Sequence, residues 1–237
     1  MAKNKKTVNE NRMTLQVFYG DVWMNKGILT NEWDKKIFLS SLEKAGTMFR
    51  IQIYAFCVLN DRIRILAGGK DVKCPVVRRM LETTFEVFER ETGLIGEEHS
   101  IPAGTSFRAN ILRIDDETDA MAVLRYIHLT PLSEKYAICP QDYWWTSYGG
   151  YRRRNYWKLL DMTPAMQYLS RIEKGREVRE LVEFHRRGEA LFNPVPSCIQ
   201  RGEFEPLHVD RKTARTPEVS IENGILENFN ETFMSQA

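Results

Sequence analysis

The chain has 237 residues, 43% of them hydrophobic and 11% aromatic, with 34 Lys and Arg set against 32 Asp and Glu for a formal net charge of +2. That suffices for one domain with a sizeable core plus an appendage, and the near-neutral balance means that any nucleic-acid role must rest on local clustering rather than bulk charge. No apolar run approaches the roughly 20 residues of a membrane span, the polar start MAKNKKTVNENR is not a secretory signal, and four scattered cysteines without a CxxC pair argue against zinc or a disulfide framework, with a reducing cytosol as the default.

Residues 1–12 read as a basic disordered arm. TLQVFYGDVW alternates and is rich in β-branched and aromatic residues, which predicts a first strand. LTNEWDKKIFLSSLEKAG predicts a helix, with Thr30 or Asn31 as its cap, acids in its first turn and Gly46 as its stop. Its apolar positions Trp33, Ile37, Phe38 and Leu42 recur at helical spacing. RIQIYAFCVL and RIRILAGG predict two strands joined by a short turn at Asn60-Asp61. Pro75 opens a second helix, PVVRRMLETTFEVFERETG, closed by Gly93. FRANILRI predicts a fourth strand. DDETDAMAVLRYIHL predicts a third helix, capped by Asp115 or Asp116 and ended by Pro131.

CPQDYWWTSYGGYRRRNYWK reads as an aromatic, basic loop. TPAMQYLSRIEKGREVRELVEFHRRGE reads as two short helices broken at Gly175, with interleaved Glu and Arg that predict a salt-bridged helix surface. Residues 206–237 lose periodicity and read as a largely disordered tail. The organisation expected is therefore the arm 1–12, a main domain over 13–152, a small helical module over 153–205, and the tail.

The order β-α-β-β-α-β is the ferredoxin-like split pattern, so the fold class expected is α+β. Two helices should lie on one face of an antiparallel sheet and leave the other face open. Side chains alternate along a strand, so if Ile63 and Ile65 face the helices, Arg62 and Arg64 sit side by side on the open face. Two like charges so placed need an anion between them or carboxylates beside them. A solvated or salt-bridged pair is the ordinary reading of such arginines.

LRYIHLTP at 124–131, followed by QDYWWTSYGGY at 141–151, resembles the single-tyrosine HUH transposases, the REP-associated tyrosine transposases among them. The match extends upstream to the DDE helix start and to Phe107-Arg108, and covers roughly residues 13–152. In that family a strand carries two histidines that bind a divalent metal, and a helix tyrosine attacks the scissile phosphate of single-stranded DNA. The resemblance puts Tyr126 at the nucleophile position. It puts Arg62 and Arg64 at the two histidine positions, and Thr130 where a polar metal ligand usually completes the site. Arginine has no lone pair for a metal and threonine is a poor ligand, so no metal or other cofactor is expected. His128 is two residues from Tyr126, points to another side of the helix, and cannot easily rescue the site.

What the resemblance implies is a DNA partner, single-stranded or hairpin, with a homodimer possible and no membrane partner. The expected contacts are Arg62 and Arg64 on phosphate, joined by Arg108, Arg152, Arg153 and Arg154, with Tyr151, Tyr156 and Trp157 as aromatic faces for unpaired bases. For the last six residues the alternative is a solvent-facing linker anchored by core aromatics. For Tyr126 it is a half-buried helix tyrosine. Three functions stay open: a DNA-binding, transposase-like protein whose cleavage is lost; a metal-independent tyrosine nickase using Tyr126 with Arg62 and Arg64; and a protein-interaction scaffold without DNA binding.

Overall fold

A computed structural model describes residues 15–24, 27–95, 105–153, 157–190 and 193–210. Its framework is β1 (Leu15–Met24), α1 (Glu32–Phe49), β2 (Gln52–Val58), β3 (Arg62–Lys70), α2 (Cys74–Ile95), β4 (Ser106–Ile114) and α3 (Glu117–Ser133). Four further short helices follow: α4 (Tyr148–Arg153), α5 (Thr163–Ser170), α6 (Glu177–Ala190) and α7 (Ser197–Arg201). The described chain ends in a fifth strand, β5 (Glu205–Asp210). The sheet order is β2-β3-β1-β4-β5, antiparallel throughout. The expected α+β fold, with its split β-α-β-β-α-β core, is present.

Alternation along each strand sends two different sets of side chains to the two faces. On one face Phe18, Val22, Ile63, Ile65, Phe107 and Ile111 join apolar residues of α1 and α2 in one layer. Phe38 of α1 meets Phe88 of α2 edge-on at 5.5 Å. On the other face Val17, Tyr19, Leu66, Leu112 and Ile114 pack against α3, α5 and α6. That face was expected to be open. It is covered where α3, α5 and α6 cross it, because Leu124, Ile127 and Leu181 carry an apolar stripe of their own that must be buried.

A register shift in β2 between Ile53 and Ala55 places both Tyr54 and Ala55 on the α3 side, which is what a bulge does to alternation. Glycine allows close approach at Gly68 and Gly188, among other positions. A Cβ on Gly68 would sit 2.0 Å from the Gln16 carbonyl oxygen across the β1–β3 pair, and one on Gly188 would sit 2.7 Å from Arg125 Cδ and Leu129 Cδ1 where α6 crosses α3.

Helix ends differ from expectation for identifiable reasons. Asn31 caps α1, its Oδ1 accepting from Asp34 N at 2.8 Å. The helix passes Gly46 and stops a turn later at Arg50, which takes the left-handed conformation at φ 55°. α2 likewise runs through Gly93 to Ile95. A glycine costs a helix about 1 kcal/mol and does not by itself end one. Asp116 caps α3, as one of the two candidates. Pro131 lies inside α3, two residues before its end, and the chain then closes with Tyr136 N donating to Pro131 O at 2.8 Å. Trp33 points out of α1 and is 55% exposed, so it is not a core position.

Residues 206–210 belong to a strand paired with β4, so the expected tail does not begin at 206. Leu207 alternates inward, buried against the α1–α2 side, and Arg78 Nη2 donates to Pro206 O at 2.9 Å. Residues 1–12 and 211–237 lie outside the described residues. Among the described residues no helix is long and apolar enough to cross a membrane.

Candidate functional site

β3 begins directly after the Asn60-Asp61 turn, which is fixed from both sides: Leu29 N donates to Asn60 O and Met24 N to Asp61 O. Arg62 and Arg64 therefore leave the turn at a set height on the sheet, on the face shared with α3. β1 is their neighbour, in register Trp23 with Arg62 and Asp21 with Arg64. α3 runs past with Tyr126 and Thr130 one turn apart, and Glu134 just beyond its last turn.

These residues form one network. Arg62 donates through Nε and Nη2 to both oxygens of Asp21, at 2.7 and 2.5 Å, and its guanidinium lies 4.8 Å from the centre of the Trp23 ring. Arg64, 3% exposed, donates to Thr130 Oγ1 at 2.7 Å and to Glu134 Oε1 at 3.4 Å, and lies 4.6 Å from the centre of the Tyr126 ring. Asp21 Oδ1 is 3.8 Å from Arg64 Nε, and Glu134 Oε1 is 3.7 Å from Arg62 Nη1. The Thr130 hydroxyl in turn donates a hydrogen bond to Tyr126 O at 3.0 Å. So two guanidiniums meet two carboxylates. The sequence reading allowed for such salt bridges, and their presence means that the arginines do not offer two uncompensated charges.

The electrostatics follow from burial. Tyr126 is 8% exposed, and burial raises the pKa of its phenol while Arg64 pulls the other way. Tyr19, deeper in the sheet, is pushed up strongly by burial and then by Asp21. Burial opposes the charge on Arg62, but its hydrogen bonds to Asp21 outweigh that and raise its pKa. Both tyrosines are thus held as neutral phenols at neutral pH, unlike an activated nucleophile.

Two arginines and a threonine present no lone-pair donor set for a divalent metal. The carboxylates of Asp21 and Glu134 are turned into the guanidiniums instead. The metal that the sequence resemblance implies for its family does not fit the residues present. Among the described residues no group of three or more His, Cys, Asp and Glu could hold a metal ion.

The same sheet face continues beyond α3. Arg62, Trp23, Arg108 and His208 stand directly across from one another on β3, β1, β4 and β5. Trp23 and Arg62 are partly exposed, and Arg108 and His208 are exposed. Arg108 thereby stands on the same cross-strand row as Arg62, with Trp23 between them. Trp23, Asp21 and Glu134 were missed. The alternation of TLQVFYGDVW puts Tyr19, Asp21 and Trp23 on one face, and in the split β-α-β-β order β1 lies beside β3, so Asp21 and Trp23 were within reach of sequence reasoning. Glu134 had no such signal.

The aromatic, basic segment does not join this site as expected. Tyr151 is fully buried, its hydroxyl donating to Tyr54 O at 2.7 Å, so it presents no face to a base. Trp157 packs edge-on against Phe56 at 5.4 Å and against Trp145. Both serve the core, beside the points where residues 145–147 and 160–161 bond to the β2 edge. Arg152 is exposed. Arg153 closes α4, its side chain outside the described part, and Arg154 and Tyr156 lie outside the described residues.

A second polar cluster holds α6 to α3. His128 Nδ1 is 2.8 Å from His185 Nε2, and His128 Nε2 is 2.7 Å from Ser147 Oγ. His185 Nδ1 lies 2.7 Å from Leu181 O, which can only accept, so that nitrogen carries the proton. His128 Nδ1 must then donate to His185 Nε2, and the Ser147 hydroxyl donates to His128 Nε2. Burial holds both rings neutral: His185 is lowered to about 4, and His128 falls well below the usual histidine range. His128 points away from the Tyr126 site, as its two-residue offset requires.

No family model matches the chain, and no curated protein matches it. Among solved structures it is similar to one described as "Structure of the REP associates tyrosine transposase bound to a REP hairpin", at 14% identity over 68% of this chain and 93% of that chain, with a TM-score of 0.46.

Proposed function

We propose that the chain is a DNA-binding, transposase-like protein that holds single-stranded or hairpin DNA on the sheet face next to the end of α3, with its cleavage chemistry lost. The observation that carries the DNA reading is the cross-strand row Arg62, Trp23, Arg108, His208. An aromatic ring flanked by guanidiniums, on a row whose Arg108 and His208 are exposed, suits stacked bases and tracked phosphates. The motif resemblance of LRYIHLTP and QDYWWTSYGGY supports the same reading. Loss of cleavage is supported by the donor set at the metal position and by a phenol that burial keeps protonated.

The test is a gel shift with hairpin and single-stranded oligonucleotides over a range of salt. Arg108→Ala should weaken binding and flatten the salt dependence, and Trp23→Ala should cost about tenfold, the lower part of the range for one stacked base. No binding at low salt would favour the scaffold reading instead. A denaturing gel, run with and without Mn2+, should show no covalent adduct. An adduct that Tyr126→Phe abolishes would favour the metal-independent nickase.

A further inference from the structure

The two carboxylates that neutralise Arg62 and Arg64 are not equivalent. Asp21 is a buried strand residue, bound to Arg62 by a fork of two short hydrogen bonds. Glu134 lies past the last turn of α3 with its side chain 40% exposed. It uses a single oxygen for both arginines, Oε1, at 3.4 Å from Arg64 Nη2 and 3.7 Å from Arg62 Nη1. Charge-assisted pairs of this kind close to about 2.7–2.9 Å when well made. Arg64, itself nearly fully buried, also has an Nε without a hydrogen-bond partner among the described residues, and the buried Tyr19 hydroxyl nearby has none either. Unsatisfied groups of that kind call for an explanation.

We propose that Arg62 and Arg64 form an anion site whose built-in occupant is the Glu134 carboxylate, and that a phosphodiester of bound nucleic acid displaces it. This rests on the DNA-binding reading above. A phosphate oxygen at the position of Glu134 Oε1 meets two guanidiniums that are already oriented. Asp21 and the Trp23 ring hold Arg62, and Thr130 and the Tyr126 ring hold Arg64. Only Glu134 has to move, and its side chain is partly exposed. The charges match: Asp21, Arg62, Arg64 and Glu134 sum to zero, withdrawal of Glu134 leaves +1, and a phosphodiester carries −1. The Arg62, Trp23, Arg108 row leads away from this point, so a strand seated on the row passes the site. Glu134 is thus an autoinhibitory side chain. It keeps the buried Arg64 paired when no strand is bound, and it weakens binding by competing for both arginines.

Fluorescence anisotropy with a labelled single-stranded oligonucleotide of mixed sequence tests this. Glu134→Gln keeps the shape and removes the charge. It should bind about tenfold more tightly than wild type, with a salt slope steeper by about 0.7, as for one added phosphate contact on a single strand. Adding Arg64→Gln should abolish the gain. Glu134→Asp keeps the charge but withdraws the oxygen by one methylene, and should tighten binding by a smaller factor should Glu134→Gln fail to fold. Equal or weaker binding by the folded variants, while wild type binds with ordinary salt dependence, overturns the gate and leaves the DNA reading standing. A second measurement covers the converse. Thermal unfolding in dimethyl phosphate, against chloride at matched ionic strength, should raise the Tm of Glu134→Gln more than that of wild type. If no protein binds the oligonucleotide but this difference appears, the anion site stands and the DNA reading fails. If the difference is also absent, the anion site is overturned too.

Discussion

The two faces of the sheet solve the same packing problem with different chemistry. The α1–α2 face is an apolar jigsaw of Phe18, Ile65, Phe38, Phe88 and their neighbours. The α3 face mixes an apolar layer with two buried polar clusters, the Arg62–Asp21–Arg64–Glu134 network and the His128–His185–Ser147 chain. Apolar burial is non-directional and needs no specific partner, so the first face is held mainly by shape, with Lys44 of α1 paired to Glu91 of α2 at its side. Buried charges and imidazoles are stable only with their partners in place. The face that carries such groups is where function is expected to sit and where conditions are expected to act.

The largest expected effect belongs to the apolar face. Phe88→Ala removes a fully buried ring that meets Phe38 edge-on. It should cost about 3–5 kcal/mol in urea unfolding, at any pH and salt at which the wild type folds. Next comes the ion network. Asp21→Ala removes the two hydrogen bonds that hold Arg62 and leaves both arginines with Glu134 as their one carboxylate, and it should cost about 3 kcal/mol. Adding Arg62→Met restores a one-to-one balance of Arg64 with Glu134 and should recover a large part of the loss. If Asp21→Ala proves neutral, the network is ornamental and the contrast between the faces collapses.

The histidine chain should make stability acid-sensitive. Both rings are neutral in the folded state because burial lowers their pKa, to about 4 for His185 and well below the usual range for His128. In the unfolded chain they titrate near 6.5. Between those values the unfolded state binds more protons, so stability rises with pH. It is fully present above about pH 6.5 and falls as the pH drops through the window, by up to about 1.4 kcal/mol per pH unit for each ring. Urea midpoints from pH 7 to pH 5 should show this slope in wild type and in Phe88→Ala, and a shallower one in a His128→Phe, His185→Leu double variant. An unchanged slope in that variant would refute the assignment.

The smallest effect returns to the apolar side. Gly93 is exposed inside α2, with open space where a Cβ would lie. Gly93→Ala should stabilise by roughly 0.5–1 kcal/mol, since alanine is the better helix former. A loss of stability there would mean that α2 does not continue through this position.

Local pattern determined the elements and their order. Alternation marked the first four strands, helical spacing marked α1 to α3, and the β-α-β-β-α-β succession carried the sheet order with it. It also placed Arg62 and Arg64 on one face, and set Tyr126 and Thr130 on the same side of a helix, because side-chain period depends only on neighbouring residues. Pairing across long sequence separation was not legible in the same way. Whether Tyr151 and Trp157 stack on bases or fill a core is decided by Tyr54, Phe56 and Trp145, roughly a hundred residues away for the first two. Residues 205–210 look structureless alone, and become a strand only because β4 offers an unpaired edge. Arg62 and Arg64 were visible as a charge pair, but what they hold is settled by Asp21, 41 residues from Arg62, and Glu134, 70 residues from Arg64. A charge is local to its residue, while its compensation depends on which groups the packed chain brings within a few ångströms.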